Sequence, residues 1–341
     1  MIKMLKVGLV GYGFMGHMHA QCYVATGEAK IEALCDIDPA KRKEAEEKYG
    51  CKTYECIDCM LKDADLDIVD VCVPTYLHEQ MVVKAAKAGK QIMCEKPMSN
   101  SLEACQNMIN AANESGSILM FGQVIRFWPE YQAIKKVIDS GEYGKILWIS
   151  ARRRSAFPTS WENWYADEAK SGGAALDLHI HDIDYINYLL GKPKAVFAQG
   201  TPGPGTGING INTQLIYDTD VRAAAEGALN LKPSFPFGMA ILIAMEDATI
   251  RFDGDLTVYK NDGTEFTPEI PKVSAVTKST ETSGNISDLG GYFLELQYFV
   301  NCVKEGKKPE MLTPEDAMLA VKVCLAATES AKNNGKIIDI D

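Results

Sequence analysis

A chain of 341 residues with 46% apolar and 24% charged side chains is composed like a soluble globular protein and is long enough for more than one core. Its formal net charge of -11 repels nucleic-acid backbones and anionic lipid, and the longest basic run, Arg152-Arg153-Arg154, is too short to reverse that. No stretch approaches the ~18 consecutive apolar residues of a membrane span and no apolar signal core precedes the first strand, so no membrane or nucleic-acid partner and a cytoplasmic location are expected.

In chain order, an apolar run from Lys3 to Val10 predicts a strand, Gly11-Tyr12-Gly13-Phe14-Met15-Gly16 a turn, and His17 to Thr26 a helix. Strand Lys30–Cys35, helix Pro39–Tyr49, strand Asp67–Val73, helix Tyr76–Ala88, strand Gln91–Cys94, helix Ser101–Glu114 and strand Ser117–Phe121 follow. Strands this apolar, alternating with helices, predict a doubly wound parallel sheet covered on both faces. From about Gln123 the rhythm changes. Ala195–Phe197, Asn212–Ile216, Ala223–Leu229, Met239–Met245 and Ala248–Phe252 read as strands without helices between them, which predicts an α+β domain with a large, mostly antiparallel sheet. Lys272 to Asp288 reads as a long loop, and helices Gly290–Glu305 and Pro314–Asn333 close the chain. The expected division is a Rossmann domain over residues 1–122 and a substrate-binding and oligomerisation domain over 123–341, with the last helix packing back on the first domain as an option.

Ten cysteines without a regular framework fit reduced thiols. Cys56 and Cys59 fall in a segment that reads as helix, where i and i+3 are simply neighbours, so their spacing is read as incidental.

The glycine fingerprint gains weight from its setting, between a strand and a helix, with Asp36 ending the second strand twenty residues beyond Gly16. Gly11 permits the tight turn, Gly13 lets backbone approach a pyrophosphate, and Gly16 lets the helix pack close; Phe14 and Met15 lie in the turn beside the expected cofactor, and the helix N-terminus that follows offers unpaired N–H groups and partial positive charge. Asp36 is suited to accept from the ribose hydroxyls and to repel a 2′-phosphate, favouring NAD over the alternative NADP. Lys41, Arg42 and Lys43 oppose that preference if they turn toward the site, and read otherwise as a solvated helix face.

Residues 172–184, GGAALDLHIHDID, pose a separate question: a metal site, an acid/base site, or the polar side of an ordinary helix. Leu176, Ile180, Ile183 and Leu190, with Gly191 following, predict one helix over Ala174–Leu190. At about 100° per residue Asp177, His181, Asp184 and Tyr188 share a narrow sector, while His179 is turned about 160° from His181. Two histidines so placed do not share an ion, His17 and His19 fail for the same reason, and no cysteine spacing is tetrahedral, so no metal is expected.

With these segments in order along the chain, the sequence resembles the glucose-fructose oxidoreductase / inositol dehydrogenase / MocA family. The resemblance rests on Gly11 to Gly16 with His19 in the helix that follows, on Asp36, on Pro74-Thr75-Tyr76-Leu77-His78, on Cys94-Glu95-Lys96-Pro97 and on Gly172-Gly173 through Asp184. It implies a two-domain NAD(P)-dependent oxidoreductase of sugars or cyclic polyols, a homodimer or homotetramer through the open face of the second sheet. By the same resemblance Lys96 is the catalytic lysine and Asp177 with His181 the acid/base pair. Pro74, Thr75, His78, Glu95 and Gln123 lie near the nicotinamide half of the cofactor, and Arg126 and Trp164 belong to the variable substrate-choosing positions; Trp161 and Arg154 are further polyol contacts or ordinary packing. Lys96 follows an apolar strand, at the carboxyl end where doubly wound folds bind ligands, and Pro97 restricts its backbone. An imidazole beside a carboxylate suits removal of a hydroxyl proton near neutral pH, and an ammonium stabilises the developing alkoxide. The rival readings are a redox-assisted glycosidase that returns its NAD unchanged and an NAD-binding sensor without turnover.

Overall fold

In a computed structural model, residues 4–273 and 290–341 are described; most of the expected Lys272–Asp288 loop lies outside them. The chain forms two compact units, one from residues 1–127 and 273–318, the other from 128–272 and 319–341. The sequence alone suggested a single cut at 122/123; instead each unit takes two segments of chain.

The first unit holds six parallel strands in the order β3-β2-β1-β4-β5-β6: β1 Leu5–Val10, β2 Ala29–Cys35, β3 Lys52–Tyr54, β4 Ile68–Val71, β5 Gln91–Cys94 and β6 Leu119–Phe121. Helices α1 Phe14–Thr26, α2 Pro39–Tyr49, α3 Ile57–Asp63, α4 His78–Lys87 and α5 Leu102–Ser115 connect them. The strand order reverses between β1 and β4, where a doubly wound fold binds its ligand. Local chemistry sets the helix limits. Asp38 caps α2 by accepting from Ala40 N at 2.8 Å with Pro39 in the first turn, and Gly50 closes it at φ 63°. The short β3 escaped the sequence reading, and Cys56, read as lying within a helix, instead caps α3.

The second unit is built on nine strands in the order β14-β13-β12-β11-β7-β10-β9-β8-β15. They are β7 Ile146–Ala156, β8 Ala195–Pro202, β9 Ile208–Ile216, β10 Arg222–Leu231, β11 Gly238–Met245, β12 Ala248–Asp253, β13 Asp255–Lys260, β14 Glu265–Phe266 and β15 Ile338–Asp339. All neighbours are antiparallel except β7 and β10. Helices α6 Pro129–Asp139, α7 Glu168–Ser171 and α8 Ile180–Leu190 belong to this unit. Its packing runs through aromatic edges: the Tyr131 ring lies 4.8 Å from Tyr185 and 5.6 Å from Phe252, both near perpendicular.

The arginine run that reads as surface charge lies in β7, the central strand. Alternation sends Arg153 to the buried face, onto Asp182, and Arg152 and Arg154 to the other face, onto Asp253 and Glu226. Helices α9 Gly290–Glu305 and α10 Pro314–Lys332 match the two predicted closing helices, and α9 packs on α1 in the first unit. Among the described residues no helix is long and apolar enough to cross a membrane.

Candidate active site

The fingerprint glycines each meet a separate geometric demand. Gly11 takes φ 92°, and a Cβ there would lie 2.6 Å from the Cys72 carbonyl oxygen. A Cβ on Gly16 would lie 2.1 Å from the Gly11 oxygen, so only glycine lets α1 close onto the turn. A Cβ on Gly13 would meet nothing within 4 Å: backbone is bare there, at the cap of α1, which has no side-chain cap of its own. Half-buried Phe14 and Met15 continue that first turn. This is a cradle for a diphosphate, with helix N–H groups facing it.

Asp36, buried at the end of β2, accepts from Tyr12 N at 2.7 Å and from Asp38 N at 2.8 Å, which fixes its carboxylate beside the turn. The Arg42 guanidinium donates to the carbonyls of Asp36 and Ile37, at 2.7 and 3.0 Å. That backbone duty accounts for the most worrying of the three nearby cations.

Past β4, Pro74 leads into a short 3₁₀ turn with Thr75 buried, and His78 opens α4. The His78 ring nitrogens lie 2.9 Å from the Pro97 and Val73 carbonyl oxygens, tying the loop after β4 to the corner after Lys96, and burial lowers its pKa. Glu95 is buried, Lys96 half-buried, and the bond to Pro97 is cis. Gln123, next to the end of β6, is fully buried with neither amide atom bonded among the described residues, leaving a donor and an acceptor beside the strand ends. The cradle, the fixed Asp36 and this amide fit a dinucleotide. Arg126 is buried too, and its guanidinium donates to the Met311 carbonyl at 2.8 Å and pairs with Asp316 at 3.3 Å.

In the second unit the helix of the GGAALDLHIHDID segment begins with one π turn, Ala175–His179, before α8. The expected single α-helix is therefore corrected: i→i+5 bonding widens that turn, and 100° steps no longer place Asp177. Burial does. From Ala174 to Asn187 every residue is buried except Asp177 and His181, which are half-buried. Asp184, expected beside them, is fully buried. His179 faces the sheet, its Nε2 2.9 Å from Thr213 Oγ1 and its Cβ 2.7 Å from where a Gly227 Cβ would stand. Burial pushes its pKa down to about 3, so it is a neutral packing group. Trp164 is half-buried and stacks on Tyr165 at 4.0 Å, just after Glu162 and Asn163 at φ 48° and 51°. Two consecutive non-glycine residues in the left-handed region hold this loop in a strained form. Trp161 is exposed, and Arg154 pairs with Glu226.

Sequence reasoning missed a cluster in the first unit: buried His19, Asp70 and Glu95 with half-buried Cys72. His19, Asp70 and Cys72 carry ligand types suited to a metal. Their atoms are engaged with one another, however, His19 Nδ1 with Asp70 Oδ2 at 2.8 Å, and burial raises the Cys72 thiol far from ionisation. A charged residue in the middle of an otherwise apolar strand, Asp70 in Ile68-Val69-Asp70-Val71, was the available signal.

The profile described as an oxidoreductase family with NAD-binding Rossmann fold matches residues 5–123, and that described as the GFO/IDH/MocA C-terminal domain matches residues 131–251. The chain belongs to the GFO/IDH/MocA family and is an NAD-binding oxidoreductase. It is 30% identical over 355 aligned positions to scyllo-inositol 2-dehydrogenase (NAD(+)) of Bacillus subtilis, covering 99% of this chain and 96% of the relative. It is 34% identical over 215 positions to the 2,7-anhydro-N-acetylneuraminate hydratase of Escherichia coli, covering 60% of this chain and 56% of that one. Among solved structures, a levoglucosan dehydrogenase in complex with NADH and levoglucosan superposes with a TM-score of 0.87 at 22% identity, covering 99% of this chain and 100% of that one; this likeness concerns the fold.

The cradle yields a direct test. Gly16→Ala should weaken NADH binding about tenfold or more, since forcing a methyl against backbone costs roughly 1–3 kcal/mol. Titration of NADH fluorescence measures it, and an unchanged affinity would mean that α1 does not close on the turn.

Proposed function

We propose that the protein is an NAD-dependent dehydrogenase of a secondary alcohol on a cyclitol or sugar, running equally toward reduction of the ketone. The observation that carries this reading is the 30% identity, along nearly the whole of both chains, to a protein named scyllo-inositol 2-dehydrogenase. NAD, when bound, supplies the hydride acceptor. His181 takes the hydroxyl proton on its imidazole, Asp177 steadies the charged ring, and the Lys96 ammonium stabilises negative charge on the substrate oxygen. Gly11, Gly13, Phe14, Met15, Gly16, Asp36, Pro74, Thr75, His78, Glu95 and Gln123 hold the cofactor, and Trp164 offers an aromatic face to a ring substrate. Arg126 contributes to substrate choice from the loop after β6, which its contacts with Met311 and Asp316 hold in place. The working form is a homo-oligomer in the cytoplasm, associating through the sheet face that carries the exposed Trp148.

The test is a panel of inositols, aldoses and anhydrosugars offered with NAD and with NADP. Reduced nicotinamide should appear with at least one inositol and faster with NAD. A panel in which no polyol yields it overturns the reading. The relative named as a hydratase supports a second reading, a reaction with no net change in NAD. Product formed from an anhydrosugar without accumulation of NADH would select it.

A further inference from the structure

We propose that His19 is a positioning residue for Lys96, acting through Glu95 as the middle member of a buried Asp70–His19–Glu95 relay. The inference rests on Lys96 being the functional cation of the reading above. Asp70 has no exposure in β4, where a lone carboxylate is expensive to hold. It meets His19 Nδ1 at 2.8 Å, and His19 Nε2 in turn meets Glu95 Oε1 at 2.9 Å. The other Glu95 oxygen, Oε2, accepts from the Lys96 backbone N–H at 3.1 Å. Gly122 lets Glu95 lie this close: a Cβ there would stand 3.0 Å from Oε1.

Both ring nitrogens of His19 face carboxyl oxygens, and with both carboxylates ionised the ring satisfies them only with two N–H groups, as an imidazolium. Burial opposes that charge, yet Asp70, with Cys72 beside it, holds the His19 pKa well above its ordinary value. The other titratable groups around it are the Cys72 thiol, 3.4 Å from Nδ1, Cys22 and Tyr23 on α1, Cys94 on β5, and Tyr292 and Glu295 on α9. Burial raises the Cys72, Cys22, Cys94 and Tyr23 groups, leaving them neutral. One imidazolium thus joins the helix that carries the phosphate cradle, the strand at the switch point and the corner that carries the lysine.

His19→Gln and Glu95→Gln, alone and together, test the relay. Each single change should lower kcat about tenfold to a hundredfold, the scale of a small misplacement of a reacting group, and His19→Gln, outside the cofactor contacts, should keep its NADH affinity within about threefold. Acting through one link, the double variant should be no worse than the poorer single one. A kcat within twofold of the parent for His19→Gln, or losses that multiply, overturns the relay, and if His19→Gln does not fold, Glu95→Gln decides by the same criterion. Independently of any substrate, ¹⁵N NMR of the parent should show both His19 nitrogens protonated at pH 8. A neutral ring at pH 7 overturns the proposal, whereas a parent that oxidises no polyol but keeps this imidazolium overturns only the dehydrogenase reading.

Discussion

Replacing His181 by alanine is expected to lower turnover by about 10²- to 10⁴-fold, the usual worth of a positioned base, while NADH binds as in the parent. Histidine serves here because its unperturbed pKa, about 6.5, lets it accept a proton near neutral pH. Its place on the helix gives the expectation its force: with Asp177 it is one of two residues from Ala174 to Asn187 that reach the surface. His179, two residues earlier, is a built-in control, because it is buried against Thr213 and held neutral. A His179 substitution should act on stability and a His181 substitution on rate. Steady-state kinetics with a responsive polyol, beside NADH titration and a thermal melt, separate the two, and a His181→Ala enzyme with parental kcat would remove that residue from the chemistry.

Asp182→Asn is expected to destabilise the second unit by about 3–5 kcal/mol, because it leaves a buried guanidinium without its counter-charge. Arg153 donates to Asp182 through Nε at 3.2 Å and Nη2 at 3.0 Å, and the side chains are 3% and 1% exposed. Nη1 lies 3.3 Å from the Met239 sulfur, a weak acceptor, and the guanidinium carbon lies 6.0 Å from the centre of the Phe237 ring. Burial pushes the Asp182 carboxyl up despite the pull of Arg153, a sign that the pair pays heavily for leaving water. Exchanging both members for apolar residues, Arg153→Met with Asp182→Leu, should therefore recover most of the loss. Urea unfolding monitored by far-UV CD measures both variants. A loss under about 1 kcal/mol for Asp182→Asn would mean that the charge is relieved by water.

The first unit was legible because its signals are local. A glycine turn between an apolar strand and a helix, an acid ending the next strand, and Lys96 after a buried run are each written in neighbouring residues, and they gave the Rossmann sheet and its cofactor. The second sheet was legible only in part. Strands β8 to β12 declare themselves by apolar runs, whereas β7, which joins the two halves of the sheet, carries three arginines whose partners lie far along the chain. Alternation alone could not reveal that the middle arginine is neutralised in the core.

By itself, then, the sequence determined the two-part organisation, the dinucleotide cradle and the short list of chemical groups, since turn chemistry and hydrophobic periodicity act over a few residues. The tertiary structure alone decided that α9 packs in the first unit, that a π turn precedes His181, and that Asp70, His19 and Glu95 form one charged chain in the core. Those outcomes depend on desolvation and on contacts between residues 51 and 76 positions apart, which no local pattern encodes.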